Sequence, residues 1–217
     1  MPLPTPLLRR LGAAVGGTDG RGRGVERRLA DDARRLWRRL SVWLEDEAML
    51  GDGGDPDALE LACWALQLPW GEGDPQRPVS GRLGTTSLRD RAAAAAEALV
   101  ARLGGEVPAD LLDRTVRLLH ELPQRPPVLD DAKLLSDAVN LDDFGIGGLV
   151  QQAILLGRGG GGLEALAEAT ARRIDYGYWQ ARLKDDFYFE HPRQLAAERL
   201  GHLIECGRML DREASDR

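Results

Sequence analysis

Apolar residues recur at intervals of three and four along most of the chain, and this spacing restricts the fold more than any other feature of the sequence. The clearest stretch lies between residues 25 and 44, where the apolar positions are Leu29, Ala33, Leu36, Trp37, Leu40, Trp43 and Leu44. Such spacing places apolar side chains on one face of an α-helix, whereas no segment shows the sustained apolar–polar alternation of a half-buried strand. We therefore predict an all-α fold, a bundle of about seven to nine helices.

The length of the chain suits one domain. It has 217 residues, 43% of them hydrophobic, which is enough for a sizeable core. Prolines and the segment GGTDGRGRG interrupt the first 24 residues, so we predict a flexible basic arm at 1–24 and a single helical domain at 25–217. Residues 1–40 contain ten arginines and four acidic residues, although the whole chain has a net charge of −6.

Glycines interrupt the helical pattern of the C-terminal half. Gly145 and Gly147–Gly148 are expected to break or bend a helix that begins near Asp130. The segment GRGGGG at 157–162 predicts a hinge, and the last two helices are predicted at 163–184 and 193–212. Between them lies the aromatic segment 187–189, which we interpret as a plug in the core; if it is exposed, it marks a partner surface instead.

Charge and cysteine content exclude several classes of protein. A chain with 35 acidic and 29 basic residues is not expected to bind polyanions in general. The apolar runs are too short to cross a bilayer, and the N-terminus is a poor signal peptide, so we expect a cytoplasmic protein with no membrane partner. The two cysteines, Cys63 and Cys206, form no CxxC pair and are interpreted as buried free thiols.

One stretch, SDAVNLDDFGIGGL at 136–149, carries several short polar side chains in a helical pattern. Asp137, Asn140 and Asp143 follow one another at intervals of three, which places them on one helical face. Two interpretations are open. With Asp32 they could form an oxygen-rich Mg²⁺ or Mn²⁺ site. Alternatively, Asp137 and Asn140 bond to the ends of packed helices while Asp142 and Asp143 are solvated.

Two segments resemble a known family. Residues 137–145 read DAVNLDDFG, which fits the pattern D-A-D-x-L-D-x-x-G except at its third position, and a Gly-[IL] step follows. Near the C-terminus, aromatic residues at 176–179 and Lys184 precede PRQLAAER at 192–199, where the pattern is L-A-x-x-R. Over about residues 28–212 the chain thus resembles the HD-domain superfamily of metal-dependent phosphohydrolases, in particular its small stand-alone bacterial branch.

The resemblance implies an HD-like helical fold and a divalent metal held by a His, a His-Asp pair and a distant Asp. Such an ion lowers the pKa of a bound water that attacks phosphorus. The first His corresponds to Asp32, the His-Asp pair to Leu66 and Gln67, and the distant Asp to Val139. Two of these side chains are aliphatic and cannot bind a metal. The chain has only three histidines and no His-Asp dipeptide, so a shifted alignment does not restore the pair.

From this we expect a degenerate metal centre, with no metal and no catalytic residue. The candidates for a residual pocket are His120, Asp137, Asn140, Asp143, Lys184 and Arg199. The first hypothesis for function is a non-catalytic binding or scaffolding module of unknown partner, with a homodimer and a phosphate-containing small molecule as candidates.

Two alternatives remain. One is an HD-type phosphohydrolase of a nucleotide or another phosphate ester, with Mn²⁺ or Mg²⁺ in a site rebuilt around Asp32, His120, Asp137 and Asp143. The other is a nucleic-acid-associated protein that uses the arginine-rich arm. This last alternative is disfavoured because no aromatic residues interleave with the arm's arginines to stack on bases.

Overall fold

A computed structural model describes residues 3–16, 25–45, 54–68 and 88–215. Within these ranges all regular elements are helical, which confirms the predicted all-α class. The α-helices are α1 (Thr5–Gly16), α2 (Val25–Leu44), α3 (Pro56–Ala65), α4 (Leu88–Leu103), α5 (Ala109–Glu121), α6 (Asp130–Asn140), α7 (Ile146–Arg158), α8 (Leu163–Asp175), α9 (Tyr178–Asp185) and α10 (Glu190–Ser215). A short 3-10 turn, Leu141–Asp143, follows α6. The ten α-helices of the described ranges exceed the predicted seven to nine.

One of the additional helices lies inside the segment that we predicted to be a flexible arm. Helix α1 occupies Thr5–Gly16, and Leu7, Leu11 and Val15 are buried at intervals of four. This spacing forms an apolar stripe on one face of the helix. The backbone N–H of Leu3 donates to Glu60 Oε2 at 3.1 Å, which fixes the start of the segment. The prediction of an arm was therefore wrong for residues 5–16, and residues 17–24 lie outside the described ranges.

The described residues up to Leu135 form one compact unit, and those from Ser136 onward form a second. The single domain at 25–217 stays a prediction. In the first unit, α3 is the central element, because α2, α4 and α5 all contact it. Asp55 caps α3 by accepting the N–H of Ala58 at 3.0 Å, and Pro56 fits the first turn, where no N–H bond is needed.

In the second unit, the 26-residue helix α10 packs on α7, α8 and α9. Its contact with α8 is close at Gly207, where an added Cβ would lie 2.8 Å from Thr170 Cγ2 and 3.0 Å from Ile174 Cδ1. A glycine at this position therefore sets how closely the two helices approach.

Two glycines with positive φ divide the predicted helices of this unit. Gly145, with φ of 81°, separates the 3-10 turn from α7, as predicted for this position. Gly177, with φ of 63°, separates α8 from α9, so the single helix predicted at 163–184 is two helices. Both conformations are left-handed and favour glycine.

The aromatic plug was predicted correctly for one of its three residues. Phe187 is buried, and its ring meets that of Phe144 edge-on at 5.3 Å between centroids, a favourable geometry for aromatic pairs. Tyr188 and Phe189 are half-buried.

Of the two cysteines, Cys63 is buried as predicted, but Cys206 is only half-buried, which corrects the prediction for that residue. Neither forms a disulfide. No helix in the described ranges has both the length and the apolar character that a membrane span requires.

Candidate functional site

The polar face predicted on residues 137–143 lies at the centre of a cluster of polar residues in the second unit, in which Asp137 and Arg182 form separate sets of hydrogen bonds. Its members come from α6, the 3-10 turn, α9, the residue that follows α9 and the first turn of α10. We call it the Asp137 cluster; it consists of Asp137, Asn140, Asp143, Arg182, Asp186 and Arg193.

Asp137 is the most buried member, with no exposed surface. Its Oδ1 accepts the backbone N–H of Tyr188 at 3.0 Å, and its Oδ2 accepts the N–H groups of Tyr188 at 3.1 Å and Phe189 at 2.9 Å. These two residues immediately precede α10 (Glu190–Ser215). The N-terminus of a helix presents unpaired N–H groups and a partial positive charge, both of which favour a carboxylate. Asp137 therefore fixes the start of α10 from a distant position in the sequence.

Burial raises the pKa of Asp137 to about 7, even though the N–H groups of Phe189 and Tyr188 and the charge of Arg193 act in the opposite direction. The cost of removing a charged carboxylate from water thus exceeds the stabilisation that its neighbours supply. Arg193 itself is held close to this carboxylate, because its Nη2 donates to Phe187 O at 2.6 Å and its Nη1 pairs with Glu190 at 2.9 Å.

Arg182 connects the remaining members of the cluster. Its three nitrogens donate to three different side chains: Nε to Asp186 at 2.8 Å, Nη1 to Asp143 at 2.6 Å and Nη2 to Asn140 at 2.9 Å. The amide of Asn140 in turn donates to the carbonyl of Asp186 at 2.9 Å. Burial by itself would lower the pKa of Arg182, but the charge of Asp143 and the bond to Asp186 raise it above its ordinary value.

Aromatic rings enclose the guanidinium of Arg182. Its Cζ lies 5.9 Å from the ring centroid of Phe144 and 5.7 Å from that of Tyr178. Trp179 also donates its indole N–H to the carbonyl of Asp143 at 3.3 Å. A cation over aromatic faces is stabilised by their quadrupoles, so these rings hold the guanidinium in one orientation.

The other predicted pocket residues lie at different positions. Arg199 donates to Leu141 O at 3.3 Å, and its Cβ would lie 3.1 Å from a Cβ added to Gly145. Arg199 thus packs against the turn that follows the cluster. Lys184 is exposed on α9, and His120 is exposed near the end of α5 in the first unit.

The positions that correspond to metal ligands in the resemblance offer few donor atoms. Leu66 is completely buried, Val139 is 9% exposed and Gln67 is 3% exposed. Asp32 is half-buried and forms an ion pair with Arg35 at 2.8 Å. Since hydrocarbon side chains cannot coordinate an ion, this set of residues does not fit the metal that the resemblance implies. Among the residues that the structure describes, no group of three or more His, Cys, Asp or Glu is arranged to hold a metal ion.

Sequence reasoning identified three of the six cluster residues and missed Arg182, Asp186 and Arg193. A local signal existed for one pair, because Arg182 and Asp186 are four residues apart on one helical face. No local signal connects Arg182 to Asn140, 42 residues earlier, or Asp137 to the N–H of Phe189, 52 residues later. The cluster can hold a charge and fix the start of a helix, and most of its polar side-chain atoms already have hydrogen-bond partners.

Comparison of the sequence with models of protein families gives no match, and no curated protein matches it. A comparison of structures finds a likeness to the crystal structure of Bacillus subtilis YpgQ in complex with ADP. The two chains superpose with a TM-score of 0.60 at 17% sequence identity, and the match covers 96% of this chain and 98% of that one. The all-α fold of this chain is therefore shared with a solved structure over nearly its whole length.

Proposed function

We propose that this chain is a catalytically degenerate, HD-like protein that acts as a binding or scaffolding module. The observation that carries the proposal is the engagement of Asp137, the most buried carboxylate of the cluster, by two backbone N–H groups. A metal-bound carboxylate directs its lone pairs at the ion, whereas this one directs them at the start of α10.

The composition of the implied metal positions supports the same proposal. Leu66 and Val139 stand where the resemblance implies a histidine and an aspartate, and both are buried hydrocarbon side chains. Asp143, which an alternative metal site would require, is paired with Arg182 at 2.6 Å. A cation entering this cluster would have to displace the guanidinium charge that already neutralises the carboxylate.

The second candidate is a phosphohydrolase of a nucleotide or another phosphate ester. It is favoured by the fold shared with YpgQ, whose crystal structure contains ADP, and by the pKa of Asp137 near 7. Carboxyl groups with such raised pKa values are enriched among general acids and bases. In this hypothesis the role of Asp137 is that of a general acid or base, and not that of an acceptor for the N–H groups at the start of α10.

Metal analysis and a hydrolysis assay on the same preparation separate the two functions. The purified protein is incubated with Mn²⁺ or Mg²⁺, desalted and analysed for bound metal, and phosphate release is measured from ADP and a simple aryl phosphate. We expect substoichiometric metal and no release above buffer. About one Mn²⁺ per chain, together with phosphate release that Asp137→Asn abolishes and the exposed-site control Asp113→Asn retains, contradicts the non-catalytic proposal.

A further inference from the structure

The first unit contains a groove of about 540 Å³ between α1, α2 and α3 that the proposed function does not use. Its lining combines arginines with tryptophans: Arg9 from α1, Arg34, Trp37 and Arg38 from α2, and Trp64 from α3. The volume lies in the range of small-molecule sites. Because α1 was predicted to be part of a flexible arm, the sequence alone did not bring Arg9 to these tryptophans.

The charges around the groove are mostly positive and incompletely paired. Arg34 pairs with Asp31 at 3.0 Å, and its guanidinium lies 5.6 Å from the ring centroid of Trp64. Arg9 and Arg38 are exposed, and neither has an ion pair within the described part of the chain. Two guanidinium groups with free donors favour an anionic ligand, since arginine binds phosphate and carboxylate groups through paired N–H donors.

Glu60, the one acidic residue among the described residues that line the groove, is already engaged. It is 4% exposed, and its Oε2 accepts the N–H of Leu3 at 3.1 Å. Burial raises the pKa of Glu60 above its ordinary value. Glu60 therefore fixes α1 as one wall of the groove.

The two tryptophans differ in their access to a ligand. Trp64 is buried and Arg34 lies over its ring, whereas Trp37 is half-buried. A planar ring that enters the groove can therefore pack against Trp37. The next residue, Arg38, also lines the groove. Proteins bind the bases of nucleotides by stacking on aromatic side chains, and they bind the phosphates by charge-assisted bonds to arginine.

We propose that this groove binds a small nucleoside phosphate, with the phosphate at Arg9 and Arg38 and the ring against Trp37. A small ligand fits better than a polynucleotide, because the groove is bounded by three helices and the chain as a whole has a charge of −6. This site goes beyond the proposed function. None of its residues belongs to the Asp137 cluster or to the positions that correspond to metal ligands, so the metal and hydrolysis results neither support nor contradict it.

Calorimetric titration of the full chain with four probes tests the proposal. The probes are ADP, adenosine, pyrophosphate and a single-stranded 20-mer oligonucleotide. We expect saturable binding of ADP that is tighter than binding of adenosine or pyrophosphate, because only ADP offers both a ring and an anion. The Arg9→Gln/Arg38→Gln double variant is expected to weaken ADP about tenfold or more, whereas Arg208→Gln, an exposed arginine of the second unit, has no effect.

Trp37→Leu separates the ring contact from the anion contact. It is expected to weaken ADP by about tenfold and to leave pyrophosphate unchanged. The arginine variants change exposed side chains only, so they decide the question if the tryptophan variant fails to fold.

The proposal is overturned by any of three results. The first is the absence of saturable ADP binding up to about 5 mM. The second is ADP binding that the double arginine variant leaves unchanged, and the third is binding of the oligonucleotide without binding of ADP.

Discussion

The buried carboxylate of Asp137 makes the stability of the protein depend on pH in a way that one substitution should remove. Burial raises its pKa to about 7 in the folded protein, against about 3.9 for an aspartate in an unfolded chain. The folded state therefore binds a proton that the unfolded state has already released between these two pH values. The stabilisation associated with this proton is fully present below about pH 4 and is lost as the pH rises through about 7.

The size of the effect follows from the two pKa values. A difference of about three pH units corresponds to ~4 kcal/mol over the full range, since each unit is worth about 1.4 kcal/mol. Between pH 5 and pH 9, where part of the range is already titrated, the expected loss of unfolding free energy is about 3 kcal/mol. Asp137→Asn has no proton to lose, so its stability should lack this component.

Urea unfolding followed by circular dichroism at several pH values measures the difference directly. At pH 5 the variant is expected to be less stable than the wild type by about 1 kcal/mol, because an amide N–H replaces one acceptor oxygen. At pH 9 the variant should be the more stable of the two. Asp113→Asn, at an exposed position of α5, controls for the loss of a carboxylate. If the difference between wild type and Asp137→Asn stays constant within about 0.5 kcal/mol from pH 5 to pH 9, the carboxylate is not desolvated as argued.

Four further substitutions test the packing of the second unit, each by urea or thermal unfolding. Gly207→Ala should lower the unfolding free energy by about 1–3 kcal/mol, because its Cβ would lie 2.8 Å from Thr170 Cγ2. Gly201→Ala on the same helix, with no neighbouring atom within 4 Å, should raise it by about 0.5–1 kcal/mol; equal effects of the two would refute the close contact. Arg182→Gln should lower it by about 3 kcal/mol because Asn140 and Asp186 would each lose a charged donor, and a loss below about 0.5 kcal/mol would mean that the network adds little. Val139→Asp should lower it by several kcal/mol, about 3 or more, by burying an unpaired charge; an unchanged melting temperature would indicate a wet pocket at this position.

The helical class could be predicted because apolar spacing is a local property of the sequence. The helix boundaries were predicted wrongly where proline and glycine content indicated one structure and apolar spacing indicated another. In α1, prolines and glycines suggested an irregular arm, but Leu7, Leu11 and Val15 have the four-residue spacing of a buried helix face. At Gly177 a single glycine divides α8 from α9 within a continuous helical pattern. One glycine inside a helical pattern is often tolerated, so its left-handed conformation here follows from packing rather than from the local sequence.

The candidate site shows the same limit. The three-residue spacing of Asp137, Asn140 and Asp143 predicted that they share one helical face. In the structure all three form hydrogen bonds within the same region. Their partners, Arg182 and the N–H groups of Tyr188 and Phe189, lie 39 to 52 residues further along the chain. Contacts over such separations depend on how the helices pack, and a single sequence contains no signal for them.

The contacts of Asp137 also bear on the proposed resemblance between this chain and metal-dependent HD proteins. In the motif at 137–145 only the third position departs from the pattern of the family that the chain resembles, and that position, Val139, is buried. Asp137 has a structural role that no metal is needed to maintain, because removing it would leave two N–H groups at the start of α10 without an acceptor, at about 1–3 kcal/mol each. Asn140 is required in a similar way by Arg182 and by the carbonyl of Asp186. Folding alone therefore requires Asp137 and Asn140, so a match to such a motif is support for the fold before it is support for the chemistry.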